Sequence, residues 1–412
     1  MNSAQQQSAY KKLSRLKVGA LFMEMGTGKT KVALDLVAHK SHKINYILWV
    51  CPYSLKSEIK SECQKWHPEL NLDVVGVESI GMSDNIYINT LMKVKNHKSF
   101  VIVDESLKIK NKNAKRTKRL IEIGKYAQYK LILNGTPISK NCLDLWSQME
   151  FLSPKILNMT YRQFKNTYTE YYLRGELRGV VKSQCNIDHL ISLISPYIYD
   201  SKLDINPEKY EYNSYYSMTK KEIDNYELLK DEILSSFIYD DSRLDFYVLT
   251  TKLQKFYVNA QFKYELLDKK IHEINDKVIV FVKFVSSIPN DALAITGEMN
   301  TEKRNKVLKE FKESNDPIPL YITYGCGSYG LNLQYCHNMI FAEHTFDYAQ
   351  KIQAEARIYR MGQSKDVNYY NLWCDVGLED LIMKSLNKKT SLLDDVKKEI
   401  ERDGLKKWLK NM

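Results

Sequence analysis

At 412 residues, with domains averaging about 150, the chain has room for two to three domains and exceeds what a single core supports. Its 44% hydrophobic and 27% charged content, with 9 Pro and 16 Gly, excludes a disordered or collagenous chain. The 61 Lys and Arg against 50 Asp and Glu leave a net charge of +11, which favours a polyanionic partner.

In chain order, the opening Met-Asn-Ser-Ala-Gln-Gln-Gln has neither the basic start nor the apolar stretch of a secretion signal. The apolar run Ala20-Leu-Phe-Met23 leads into Gly26-Thr-Gly-Lys-Thr30, after which Val32, Ala33, Leu34, Leu36 and Val37 have helical spacing. This predicts a strand, a Gly-rich loop and a helix. The runs 47–51, 100–104 and 131–135 read as strands that stop at polar or small residues, and 54–66 reads as a helix. Strands alternating with helices imply a parallel sheet whose functional groups sit at the strand C-termini. From about Cys142 to Val258 the spacing turns helical, with many tyrosines and few β-branched runs, predicting helical elaboration. Strands resume at 278–282, 292–296, 320–323 and 339–342, interleaved with helices such as 302–312, and the Lys-rich stretch Leu392 to Leu409 predicts an amphipathic helix. The expected fold class is α/β, with two parallel-sheet lobes and helical insertions between them. The lobes are expected at 1–200, with a helical extension from about 142, and at 263–412, joined by a helical linker over 201–262. No apolar run approaches the roughly 18 residues that cross a bilayer. The seven cysteines are scattered without a C-x-x-C pair, so neither a disulfide framework nor a zinc site is predicted.

Three groups of residues point to chemistry. The Gly26-x-Gly28-Lys29-Thr30 turn allows backbone N–H groups, including that of Thr27, to converge on phosphate oxygens. Lys29 can then reach the β- and γ-phosphates, and the Thr30 hydroxyl can hold Mg²⁺. Position 23, where the longer phosphate-loop pattern has Gly, is Met. Asp104-Glu105 closes the third strand, with Asp104 suited to the Mg²⁺ shell and Glu105 to the attacking water; helix capping is the plain alternative. Arg357 and Arg360 lie three apart, as if on one helix face, where they can neutralise charge on a transferring phosphoryl group or form a solvated basic face.

Taken together, Met25 to Thr30, Asp104-Glu-Ser-Leu-Lys-Ile-Lys-Asn111, Leu133-Asn-Gly-Thr-Pro-Ile138, Gly330-Leu-Asn-Leu-Gln334 and Gln353 to Gln363 resemble the Swi/Snf-like branch of superfamily 2 helicases and translocases. The resemblance covers nearly the whole chain and implies two RecA-like lobes with ATP in the cleft between them and nucleic acid on the opposite side. It implies that Gly26, Thr27, Gly28, Lys29 and Thr30 bind ATP, that Thr30 and Asp104 hold Mg²⁺, and that Lys29, Asp104, Glu105, Gln353, Arg357 and Arg360 act in hydrolysis. Gln6 stands near the place of an adenine-reading glutamine, among three consecutive glutamines. Lys56, Thr90 and Asn332 lie in segments where the family touches the nucleic-acid backbone. Three departures stand out. Leu107 replaces the polar fourth residue of Asp-Glu-Ala-His, which normally links hydrolysis to lobe movement. Asn134 replaces a Thr, and Ala356 replaces an acidic residue.

Lys108 to Arg119 holds seven basic residues in twelve and no acid. Lys115, Arg116 and Lys118 are candidates to contact phosphates, against the plain alternative of a solvated helix face. The expected function is an ATP-dependent DNA translocase or helicase acting on duplex or branched DNA in replication, recombination or repair. The alternatives are a conventional single-strand-tracking helicase on DNA or RNA and a nucleotide-gated DNA-binding protein with little turnover. The expectation extends to a monomer with replication or recombination proteins as partners, no membrane association, and the cytoplasm of a bacterial or infected host cell.

Overall fold

The computed structural model describes residues 3–135, 137–138, 141–171, 181–236, 244–314, 316–329, 331 and 333–387. The predicted helix at 392–409, Gly330 and Asn332 lie outside the described residues. The chain divides into two compact units at Asp204 and Ile205.

The first unit begins with α1 (Ala4–Leu13), β1 (Val18–Met23), α2 (Lys29–Lys40), β2 (Tyr46–Cys51), α3 (Lys56–Trp66), β3 (Leu72–Gly76), α4 (Val77–Met82), α5 (Asp84–Asn96) and β4 (Ser99–Asp104). It continues through α6 (Lys115–Tyr126), β5 (Tyr129–Leu133), α7 (Trp146–Leu152), α8 (Pro154–Leu157), α9 (Tyr161–Tyr168), β6 (Thr169–Tyr171), β7 (Val181–Gln184), α10 (Ile187–Ile194) and β8 (Ile198–Ser201). Six strands form one sheet in the order β3-β2-β4-β5-β1-β8, every pair parallel. Its inner strands are unbroken apolar runs because helices cover both faces. Ala9, Leu13, Val32, Leu36, Ile59 and Cys63 from α1 to α3 pack on one face. Val94, Leu120, Ile123, Met149 and Phe164 from α5, α6, α7 and α9 pack on the other. The crossover order places the ends of β1 and β4 on the same C-terminal edge, with β5 between them.

The second unit comprises β9 (Lys209–Tyr216), α11 (Lys220–Ser236), α12 (Leu244–Tyr257), α13 (Gln261–Ile274), β10 (Val278–Val282), β11 (Leu293–Ile295) and α14 (Thr301–Glu313). It closes with β12 (Pro319–Thr323), β13 (Asn338–Phe341), α15 (Tyr348–Glu355), β14 (Val367–Cys374) and α16 (Gly377–Asn387). Its parallel sheet runs β11-β12-β10-β13-β14-β9. The stretch expected as a linker, 201–262, is therefore mostly part of this unit. Strand β9 is its sheet edge, paired with β14 from Lys209–Val367 to Tyr216–Cys374. Tyr216, Tyr226, Leu253 and Tyr257 enter the same core as Val280 and Ile340.

Buried charge marks this second core. The Lys263 and Glu343 side chains, 1% and 0% exposed, pair at 2.5 Å. The other Glu343 oxygen accepts from the Lys283 and Phe284 backbone N–H groups at 2.7 and 3.0 Å. Removing either partner of such a pair costs roughly 3–5 kcal/mol, since the survivor keeps its desolvation penalty. Glu379 of α16, also buried, accepts from the Tyr257 hydroxyl at 2.8 Å, and burial pushes its carboxyl up to about 8.

Candidate nucleotide site

Strand β1 delivers the chain into a tight turn that requires glycine. Gly26 and Gly28 have φ of 82° and 81°, the left-handed region that L side chains rarely adopt. Gly28 is the N-cap of α2, so Lys29 and Thr30 occupy its first turn, where unpaired backbone N–H groups and the helix dipole favour an anion. The Thr27 hydroxyl donates to the Glu24 carbonyl at 2.7 Å and is turned inward, so Thr27 contributes its backbone rather than its side chain. The Glu24 N–H donates to Ser201 of β8 at 2.9 Å, fixing the start of the loop.

Gln6 lies in α1, whose N-cap Ser3 forms a capping box with it. Gln6 is buried and its Nε2 donates to the Thr27 carbonyl at 2.9 Å. Gln5 instead donates to the Lys202 carbonyl, and Gln7 is exposed.

Asp104 ends β4 and is 4% exposed. Burial, with the Glu105 charge added, pushes its carboxyl up to about 7, while Lys29 pulls it down. Lys29 and Asp104 are thus brought into one electrostatic neighbourhood. Glu105 has φ 51° and donates its N–H to Asp104 Oδ1 at 2.9 Å. A non-glycine residue held there costs on the order of 1 kcal/mol, strain that concentrates at functional turns. Asp104 remains short of positive charge despite Lys29. That deficit, with the Thr30 hydroxyl at the start of α2, fits a divalent cation. Among the described residues no three His, Cys, Asp or Glu side chains gather to hold a metal by themselves.

In the second unit Gln353 lies in α15, but the helix ends at Glu355. Arg357 and Arg360 therefore sit in the irregular turn after it, not on a helix face. The Arg357 carbonyl accepts from Leu333 N–H at 3.2 Å and the Arg360 carbonyl from Gln363 N–H at 3.0 Å. Gln363, 8% exposed, closes the turn: its Nε2 donates to the Cys336 and Ile358 carbonyls at 3.0 and 3.1 Å. The sequence placed Gln363 in the motif without this anchoring role. Gly362 has φ 94°, and a Cβ there would lie 3.0 Å from Gln334.

The candidate nucleic-acid residues are more scattered. Lys56 opens α3, with its ammonium 5.3 Å from the ring of exposed Tyr53. Thr90 is 5% exposed, so its side chain is not offered to an external backbone. The basic run becomes α6. Lys115 pairs with Asp84 at 2.9 Å, Arg116 Nε donates to the Lys108 carbonyl at 2.7 Å, and Lys118 is exposed. Arg119 is committed to the chain itself, donating to Ile80 and Ser83 carbonyls and pairing with Asp84.

Two sequence families match. The SNF2-related domain family matches residues 7–273, and the helicase conserved C-terminal domain family matches residues 262–362. An uncharacterized ATP-dependent helicase of Mycoplasma genitalium is 24% identical over 436 residues, covering 93% of this chain and 40% of the relative. A DNA annealing helicase and endonuclease of Bos taurus is 24% identical over 415 residues, covering 90% of this chain and 38% of the relative. The chain spans about two-fifths of the length of these curated relatives. Among solved structures, a Sulfolobus solfataricus SWI2/SNF2 ATPase core in complex with dsDNA is similar, with 21% identity and a TM-score of 0.44 over 100% of this chain and 96% of that one.

Proposed function

The chain belongs to the SNF2-related domain family, and from that premise we propose that it is a nucleic-acid-dependent ATPase that moves along duplex or branched DNA. The observation that carries the reading is the shared sheet edge in the first unit. There the Gly26–Thr30 turn opens α2, and the buried Asp104 is pulled electrostatically by Lys29.

Binding follows from the helix N-terminus. Backbone N–H groups of the turn donate to the phosphate oxygens, and Lys29 offsets the β- and γ-phosphate charge. Thr30 and Asp104 would hold Mg²⁺, which when bound supplies further charge neutralisation at the phosphates. Glu105, held in its left-handed conformation, orients and deprotonates the attacking water. Arg357 and Arg360 are assigned to the charge that builds on the transferring phosphoryl group, with Gln353 as a polar partner. The +11 net charge supports a polyanionic partner, and relatives named as DNA helicases support DNA. Replication, recombination or repair is the proposed setting.

The test is ATP turnover measured without nucleic acid and with single-stranded DNA, duplex DNA and a four-way junction. Stimulation by duplex or junction at least equal to that by single strands is expected. Stimulation by single strands alone, with unwinding of a tailed duplex, would replace this reading with a conventional helicase.

A further inference from the structure

Leu107 occupies the position from which a polar side chain would connect the acid pair to the rest of a motor of this type, so another connection must serve if the site is to drive movement. The residue before it provides one. Ser106 is 0% exposed, and its hydroxyl donates to Gln148 Oε1 on α7 at 2.6 Å. Gln148, also 0% exposed, donates from Nε2 to the Pro137 and Asp144 carbonyls, both at 2.8 Å. Both of its amide donors and its carbonyl oxygen are engaged. The reverse orientation would turn the carbonyl oxygen toward two other carbonyls, so the surroundings fix the amide in one state.

The loop at the far end of this bridge runs beside the phosphate loop. A Cβ on Gly135 would lie 3.3 Å from Met25 Cγ and 3.4 Å from Met25 N, so a side chain there would press on Met25. Ser147, beside Gln148, donates to the Lys110 carbonyl at 3.1 Å, a second tie between α7 and the segment after the acid pair. Gln148 thus ties Asp104's turn and α7 to Pro137, and Gly135, two positions before Pro137, lies beside Met25 of the phosphate loop.

We infer that Gln148 is a positioning residue that makes the Asp104–Glu105 turn and the loop of Gly135 and Pro137 move as one unit, with Ser106 as its donor, in place of the link missing at Leu107. The inference rests on the ATPase reading above. It predicts that nucleotide at the phosphate loop is sensed at Pro137, and that severing the bridge separates DNA stimulation from the basal reaction.

The experiment uses the full chain with Ser106→Ala, Gln148→Leu and the double variant. ADP affinity, ATP turnover with and without duplex DNA, and ADP-dependent hydrogen exchange of the peptide spanning 134–138 are measured. Gln148→Leu should keep ADP affinity and basal turnover within about twofold while DNA stimulation falls about tenfold; Ser106→Ala should lower it about threefold. The double variant should be no worse than Gln148→Leu, because both substitutions cut the same bridge. ADP-dependent protection at 134–138 should be lost in all three. Additive effects, parallel loss of basal and stimulated turnover, or unchanged stimulation would overturn the inference. Should Gln148→Leu fail to fold, Ser106→Ala, which deletes a single oxygen, still decides. A wild type that protects 134–138 on binding ADP, but hydrolyses no ATP, would refute the enzymatic reading while leaving the coupling standing. A wild type without such protection refutes the coupling.

Discussion

Gln6 Nε2 donates to the Thr27 carbonyl at 2.9 Å while Gln6 Oε1 accepts from Ser3 N–H at 3.2 Å, so a helix outside the phosphate loop holds the peptide in the middle of it. A buried hydrogen bond of this kind contributes about 1 kcal/mol, or roughly fivefold in affinity. Gln6→Ala should therefore weaken ATP and GTP binding by a similar factor of about five, read by titration of a fluorescent nucleotide. A loss confined to adenine nucleotides would assign Gln6 to base recognition instead.

Lys29→Ala should abolish hydrolysis, because Lys31, the other cation in the first turn of α2, is paired with Asp35 at 3.1 Å. Folding and DNA binding should persist, as judged by circular dichroism and an electrophoretic shift. Turnover equal to that of the wild type would remove the site from this loop.

Arg360→Ala is expected to leave ATP affinity nearly intact and to lower turnover by roughly 10³-fold or more, since an arginine acting on developing charge contributes mainly in the transition state. Equal loss of binding and turnover would make Arg360 a ground-state contact.

The three basic candidates of α6 should not behave alike. Lys118 is exposed, whereas Lys115 is paired with Asp84. Lys118→Ala should flatten the dependence of log affinity on log salt by about 0.9, and Lys115→Ala by less. Asp84→Asn, which frees Lys115, should strengthen binding to every DNA sequence alike. Salt slopes unchanged in all variants would make α6 an ordinary solvated face.

Glu379 gives the second unit a pH dependence. Its folded carboxyl sits at about 8 against an ordinary value of 4.5, so between these the folded chain keeps a proton that the unfolded chain has lost. Stability then falls as pH rises from about 4.5 to about 8. Glu379→Gln mimics the protonated form and can still accept from Tyr257. Its melting temperature should match the wild type near about pH 5 and exceed it near about pH 8.5.

The strands most legible in the sequence are those buried on both faces. Trp49 and Val50 in β2, Val101 to Val103 in β4 and Val278 to Val282 in β10 form unbroken apolar runs because helices cover each side. The edge strand β9 escaped the same reading. Lys209, Glu211 and Asn213 interrupt its tyrosines, and a strand exposed along most of its length has no need of an apolar run. The phosphate loop and acid pair were legible because glycine conformation and strand ends constrain them locally. Gln148 was not, since its role depends on Ser106, which the fold brings across 42 positions. The only signal was a pair of polar residues, Ser147 and Gln148, in a helix otherwise dominated by apolar side chains. The helical register assumed for Arg357 and Arg360 failed for a related reason. Gln363 gathers carbonyls from Cys336 and Ile358, and that long-range closure sets the turn.

Strand β9 ends its sheet, and within the described residues its outer backbone edge has no strand neighbour. Tyr210, Tyr212 and Tyr215 are 40%, 46% and 62% exposed along it. Such an edge is a template on which a second molecule can add a strand, the first step toward fibrillar aggregation. Lys209 and Glu211 interrupt it with opposite charges, so each copy that approaches in register meets its own like charge. Neutralising both should therefore favour strand addition at this edge, and light scattering at high concentration should report more self-association than in the wild type.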